Sequence, residues 1–234
     1  MAMEVNMPDD YLKKFDDVVD RMKRQQTFGV SCYAFLSGIA DDPVRQRKYN
    51  NSYAGHALEL CIRSVQTGLV LFCSRHWDEK DDCQSILAAK NLSERAIDKI
   101  VERHREYFAE KGIQRDAHEF YKYFDDLSAD VEAVRASQAR TQIRVLRTEH
   151  YAHMIKNSKD RQKALREDSF FDMDGLTVKS LLVFARQTIE LSNRFVYLKE
   201  RLSPEFCDRV TFQSKYYDKF WDNLPVFSEV EGPL

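Results

Sequence analysis

Turn-forming residues are scarce in this chain, with seven glycines and five prolines in 234 residues, too few for the many tight turns of an all-β sandwich or barrel. The five cysteines (Cys32, Cys61, Cys73, Cys83 and Cys207) are odd in number and contain no Cys-x-x-Cys pair. That argues against a disulfide framework or a zinc knuckle and for reduced thiols in the cytoplasm. Long apolar runs are missing too. The longest plain one, Gly68 to Cys73, is far too short to span a bilayer, and the opening MAMEVNMPDDYLKK lacks the basic-then-apolar order of a signal peptide. A soluble, intracellular protein with no membrane partner is expected. There is no Gly-rich phosphate loop and no internal repeat, and no histidine has a glutamate three residues before it, so neither a helical di-metal site nor a cofactor is expected. With a formal net charge of −2, the molecule as a whole does not attract polyanions.

The charge is unevenly spread. Between Arg135 and Arg166 nine Lys/Arg face two acids, Glu149 and Asp160, a balance of +7 that leaves −9 on the other 202 residues. A local basic face of this kind suits phosphate contacts.

With 43% hydrophobic residues and apolar positions stepping by three or four, the chain reads as all-α. Tyr11, Phe15, Val18, Val19 and Met22 predict a first helix after Pro8, and a second covers Thr27 to Ala40. Gly55 to Trp77 is apolar nearly all round and predicts a central helix, followed by a loop over Asp78 to Asp82. Ser93 with Glu94 fits a helix start, and Gly112 a stop. A long, bent helix is expected from about Asp116 to Ile155, then a lysine-rich loop from Ser158 to Asp174 and a helix from Val178 to Leu202 capped by Thr177. The tail from Ser203 is aromatic and fits a cover for the bundle or a partner. The expected division is an N-terminal segment over 1–54, a core over 55–202 and the aromatic segment over 203–234.

The helix that ends near residue 155 carries an apolar stripe of Ala136, Ala139, Ile143 and Leu146 that continues into His150 and His153. Arg140, Arg144 and Arg147 flank it at i, i+4 and i+7. Arginine supplies a permanently charged fork matched to phosphate oxygens, and histidine takes and gives protons near neutrality. In a straight helix Arg147 neighbours His150 but points roughly 120° away from His153. Cooperation with His153 therefore needs a helix that loosens near its end, or a second copy across a two-fold axis.

Leu146-Arg147-Thr148-Glu149-His150-Tyr151-Ala152-His153 resembles the signature of the HEPN superfamily, an arginine and a histidine separated by four to six residues. Val70 to Asp78 followed by Cys83-Gln84-Ser85-Ile86, and Leu176-Thr177 opening a final long helix, are similar to the corresponding parts of abortive-infection HEPN proteins of the U type. The resemblance covers roughly residues 55–200. It implies an α-helical bundle that dimerises around its motif helices, and a metal-independent endoribonuclease acting as a toxin or phage-defence effector. Arg147 and His153 are the implied catalytic pair, with His150 a second proton carrier, and Arg140, Arg144, Thr148 and Lys156 the RNA contacts. Thr148 stands where a small amide is common. Ile155 replaces a tyrosine modified in toxins paired with nucleotidyltransferase antitoxins, so that pairing is not expected, although another antitoxin or defence-operon partner remains open. The rival readings are a non-catalytic HEPN-type module that binds RNA or a nucleotide or senses a partner, and a structural helical dimer whose histidines only pack.

Overall fold

A computed structural model describes residues 8–40, 42–50, 54–80, 84–147, 176–201 and 206–223, and among them every regular element is a helix. The order is α1 (Pro8–Ala40), α2 (Pro43–Asn50), α3 (Ala54–His76), α4 (Ile86–Glu110), α5 (Ala117–Arg135), α6 (Gln138–Val145), α7 (Val178–Glu200) and α8 (Phe206–Asn223). The two expected N-terminal helices are one, 33 residues and about 50 Å long at 1.5 Å per residue. Arg24, Gln25 and Gln26 do not break it, since all three are good helix formers. Gln26 is moreover fully buried, its Oε1 accepting from Arg209 Nη1 of α8 at 2.7 Å.

Helix α1 is the spine, packing on α3, α4, α7 and α8. Its buried side chains, Phe15, Val19, Met22, Val30 and Leu36 among them, sit in one cluster with the inner faces of α3 and α7. Helix α1 comes close to α3 at Gly29, where an added Cβ would lie 2.5 Å from the Phe72 ring; only hydrogen fits there. By length and composition α3 is apolar enough to cross a bilayer, with mean hydropathy 1.3 over Ala57–His76. In the bundle it packs against α1, α2, α6 and α7 and buries the polar Gln66, Ser74 and His76 along with its apolar residues.

Helix α4 begins earlier than Ser93 predicts. Ser85 is its N-cap, accepting from Ala88 N–H at 3.1 Å, and the buried run Ile86 to Ala89 follows at once. Ser93 is buried within the helix and donates to the Lys90 carbonyl at 2.8 Å, the local bond that serine makes in mid-helix. The expected stop holds: the helix ends at Glu110 and Gly112 takes φ +70°, the left-handed conformation that favours glycine. The long helix expected from Asp116 starts there, with Asp116 as N-cap of α5, but breaks at Ala136–Ser137. Ser137 is extended (φ −69°, ψ 148°) and accepts from Arg140 N–H at 3.3 Å, opening α6 as a new helix. Ala136, expected on the apolar stripe, is exposed at this break, while Ile143 and Leu146 are buried.

Thr177 caps α7 as expected, accepting from Ser180 N–H at 3.1 Å. Helix α7 touches α1, α3, α4, α5, α6 and α8 and is buried along most of its length. The aromatic tail forms α8 and lies on α1: Trp221 is fully buried with its ring centroid 4.8 Å from that of Phe35, and Tyr217 stands edge-on to Phe35 at 5.5 Å. Arg45 of α2 ties α8 down through Asp218 at 2.9 Å and Asp222 at 3.0 Å.

Candidate functional site

A cleft of about 260 Å³ lies where the end of α3 meets α6 and α7, lined by Ser74, Trp77, Asp78, Glu79 and Lys80, by Arg140, Ile143, Arg144 and Arg147, and by Phe184. Its floor is apolar and its walls are charged. The floor is fixed first. Trp77 closes α3 through a bond from its backbone N–H to the Cys73 carbonyl at 3.1 Å. Its indole N–H donates to Thr188 Oγ1 at 2.9 Å, and the Thr188 hydroxyl donates to the Phe184 carbonyl at 2.8 Å. A buried tryptophan whose polar atom is satisfied is a rigid anchor, so the residues that follow it leave the bundle at a set point over α6.

The walls come from the i, i+4, i+7 face of α6. Asp78 receives Arg147 Nη1 at 3.0 Å, and Glu79 receives Arg140 Nη2 at 2.6 Å. Arg140 also donates through Nη1 to the Arg135 carbonyl at 3.2 Å, and Arg135 approaches Glu79 at 3.7 Å. The hydrogen bond and charge of Arg140 hold the Glu79 carboxyl below its ordinary range, with Arg135 and Arg144 adding to the effect. Four cations, Lys80, Arg140, Arg144 and Arg147, thus share the cleft with two carboxylates, a surplus that leaves it attractive to anions. Leu146 and Arg147 enter a wider, π-type turn at the last described positions of this helix, a feature common at functional sites.

Of the residues expected from the sequence, the structure brings together Arg140, Arg144 and Arg147. Thr148, His150, His153 and Lys156 lie outside the described residues, as do Ile155 and the loop Ser158–Asp174. The sequence reading passed over Asp78 and Glu79 as a loop, and over Arg135 and Lys80. The available signal was the acidic pair placed directly after an aromatic helix end, Trp77-Asp78-Glu79.

Two histidines elsewhere in the bundle, His76 and His104, are buried and have structural roles. His76 is fully buried, donates from Nδ1 to the Phe72 carbonyl at 3.0 Å and is pushed down to about 4 by burial. His104 donates from Nε2 to the Leu198 carbonyl at 2.8 Å and is likewise lowered to about 4 by burial. Both are neutral near pH 7. Among the described residues no group of three or more His, Cys, Asp or Glu is placed to hold a metal ion.

An all-α bundle whose short arginine helix leads into an Arg-x5-His sequence defines a HEPN-type module. Comparison with protein families makes the assignment specific: the model of the HEPN AbiU2 family, described as AbiU2, matches residues 12–198. The chain belongs to that family and is an abortive-infection HEPN-type module. The match takes in α1 through most of α7. No curated protein and no solved structure matches the chain.

Proposed function

We propose that the protein is a metal-independent endoribonuclease, a toxin or phage-defence effector working in the cytoplasm as a homodimer whose motif helices meet across the two-fold axis. The observation that carries this reading is the convergence of Arg140, Arg144 and Arg147 on one cleft, with Arg147 opening the Arg-x5-His sequence. In the reaction His153 removes the proton of a ribose 2′-hydroxyl, with His150 the second candidate for proton transfer. The 2′-oxygen then attacks the adjacent phosphorus, and the bond to the 5′-oxygen of the next nucleotide breaks as that oxygen takes up a proton. The products are a 2′,3′-cyclic phosphate and a 5′-hydroxyl. Arg147 stabilises the crowded phosphorane, where negative charge is greatest. Arg140 and Arg144, with Thr148 and Lys156, hold flanking phosphates, which fixes the strand without reading its sequence.

The test is cleavage of RNA in the presence of chelator by the native chain, Arg147→Ala and His153→Ala, each variant checked for fold and oligomeric state. Native cleavage with a loss of about 10²-fold or more in each variant is expected from the usual contributions of general acid–base and oxyanion groups. The rival reading, a non-catalytic RNA-binding or partner-sensing module, draws on the engagement of Arg147 by Asp78. Intact RNA bound equally by native protein and His153→Ala would establish that reading in place of ours.

A further inference from the structure

The pairs that Arg140 and Arg147 make with Glu79 and Asp78 each join a sheltered partner to an open one. Asp78 is 17% and Arg140 14% exposed, but Arg147 is 43% and Glu79 50% exposed, so water reaches both pairs and their contribution to stability is modest. Nor do they complete a buried network, since the α3–α6 junction is already fixed from below by Trp77 and Ile143. What they do control is access to two guanidiniums, one in the first turn of α6 and one just past its end. Arg140 and Arg147 are seven residues apart, about 10 Å of helix rise, yet both are met by consecutive residues. Asp78 and Glu79 lie just past the end of α3, and there Asp78 meets Arg147 while Glu79 meets Arg140. Two negative groups on consecutive backbone units, meeting two arginines along a helix, repeat the charge pattern of a nucleic-acid strand.

We propose that Asp78 and Glu79 stand in for two successive phosphates of an RNA strand, holding Arg147 and Arg140 until the strand displaces them. The inference rests on the ribonuclease reading for its ligand, and adds to it the occupant that holds Arg140 and Arg147 before the strand arrives, together with Arg135 as a second cation beside Arg140 through its own approach to Glu79. Displacement is feasible because the cleft carries four cations to two carboxylates and because each pair keeps one partner open to water, Arg147 in one and Glu79 in the other. A polyanion that brings several phosphates at once outcompetes two carboxylates, whereas a single phosphate or a mononucleotide does not. The arrangement therefore holds the site shut against small anions and open to strands.

The test is the double variant Asp78→Asn/Glu79→Gln, which keeps side-chain size and removes both charges. Its affinity for a fluorescent, fully 2′-O-methylated oligoribonucleotide, a strand that has no 2′-hydroxyl to react, is read by anisotropy beside that of the native protein, with melting by circular dichroism as the fold control. Binding about 2- to 30-fold tighter than native is expected, the range that two exposed ion pairs span. Unchanged or weaker binding overturns the proposal; weaker binding means that the carboxylates position the arginines. Absence of binding in both proteins overturns it as well. Glu79→Gln alone, at a half-exposed position that cannot unfold the bundle, repeats the test if the double variant melts early. Because the probe cannot be cleaved, tighter binding without cleavage of ordinary RNA would defeat the ribonuclease reading alone, and cleavage without tighter binding would defeat the stand-in alone.

Discussion

Replacing Trp77 by Phe tests whether the cleft is anchored as described. The indole N–H is the partner of Thr188 Oγ1 at 2.9 Å, both groups are buried, and the ring lies 5.9 Å from that of Phe184. Phenylalanine removes the donor and the outer ring. The lost hydrogen bond costs about 1 kcal/mol, and the space left behind about 1–2 kcal/mol more. The sum, about 2–3 kcal/mol, lowers the melting temperature of a chain this size by about 4–12 °C, measured by calorimetry or circular dichroism. Thr188→Val and the double variant complete a cycle. The Thr188 hydroxyl keeps its second bond, to the Phe184 carbonyl, so the coupling between Trp77 and Thr188 isolates the indole bond and is expected near 1 kcal/mol. A melting shift below about 2 °C, or a coupling indistinguishable from zero, would refute the anchor and with it the claim that the position of Asp78 is set by the bundle.

Two further outcomes follow from the fold. Ser137→Ala removes the side-chain N-cap of α6 and costs about 1 kcal/mol; faster hydrogen exchange confined to residues 138–145, with α5 unchanged, checks it, and uniform loss of protection would contradict a separate α6. His76 and His104 have folded-state values of about 4 against an ordinary 6.5, so the unfolded chain takes up protons first as pH falls. Stability is therefore full above pH 6.5 and declines between 6.5 and 4, by about 2 kcal/mol at pH 5 from His76 alone; a melting temperature flat from pH 7 to 5 would show that neither ring is held neutral.

Local signals were legible in the sequence wherever a cap or stop residue acted alone. Asp116, Thr177 and Gly112 do what their types predict, and the i, i+4, i+7 arginines share a face because they lie on one helix. Misreadings arose where two signals competed. Ser93 followed by Glu94 has the form of a helix start, but Ser85 precedes the buried apolar run and takes the role. Ser137 sits inside an unbroken 3.6-residue pattern, and periodicity alone does not show that its hydroxyl ends one helix and starts another. The boundary expected before Thr27 is absent, and the buried Gln26 beside it is satisfied by Arg209, 183 residues away. The acidic half of the candidate site was legible only as an acidic pair after an aromatic helix end, because Asp78 and Glu79 acquire their partners from arginines 69 and 61 residues further on.

The length of α1 bears on when this protein becomes itself during synthesis. Phe35 emerges early, but the aromatic rings that shelter it, Tyr217 and Trp221, are made about 180 residues later. At roughly 5–20 residues per second that is an interval of about 10–40 s in which the spine helix has no lid. The floor of the arginine cleft waits as well, since Phe184 belongs to α7. A ribosome carrying an unfinished chain thus carries no finished arginine cleft, and whatever that site acts on meets it only once the late helices are in place.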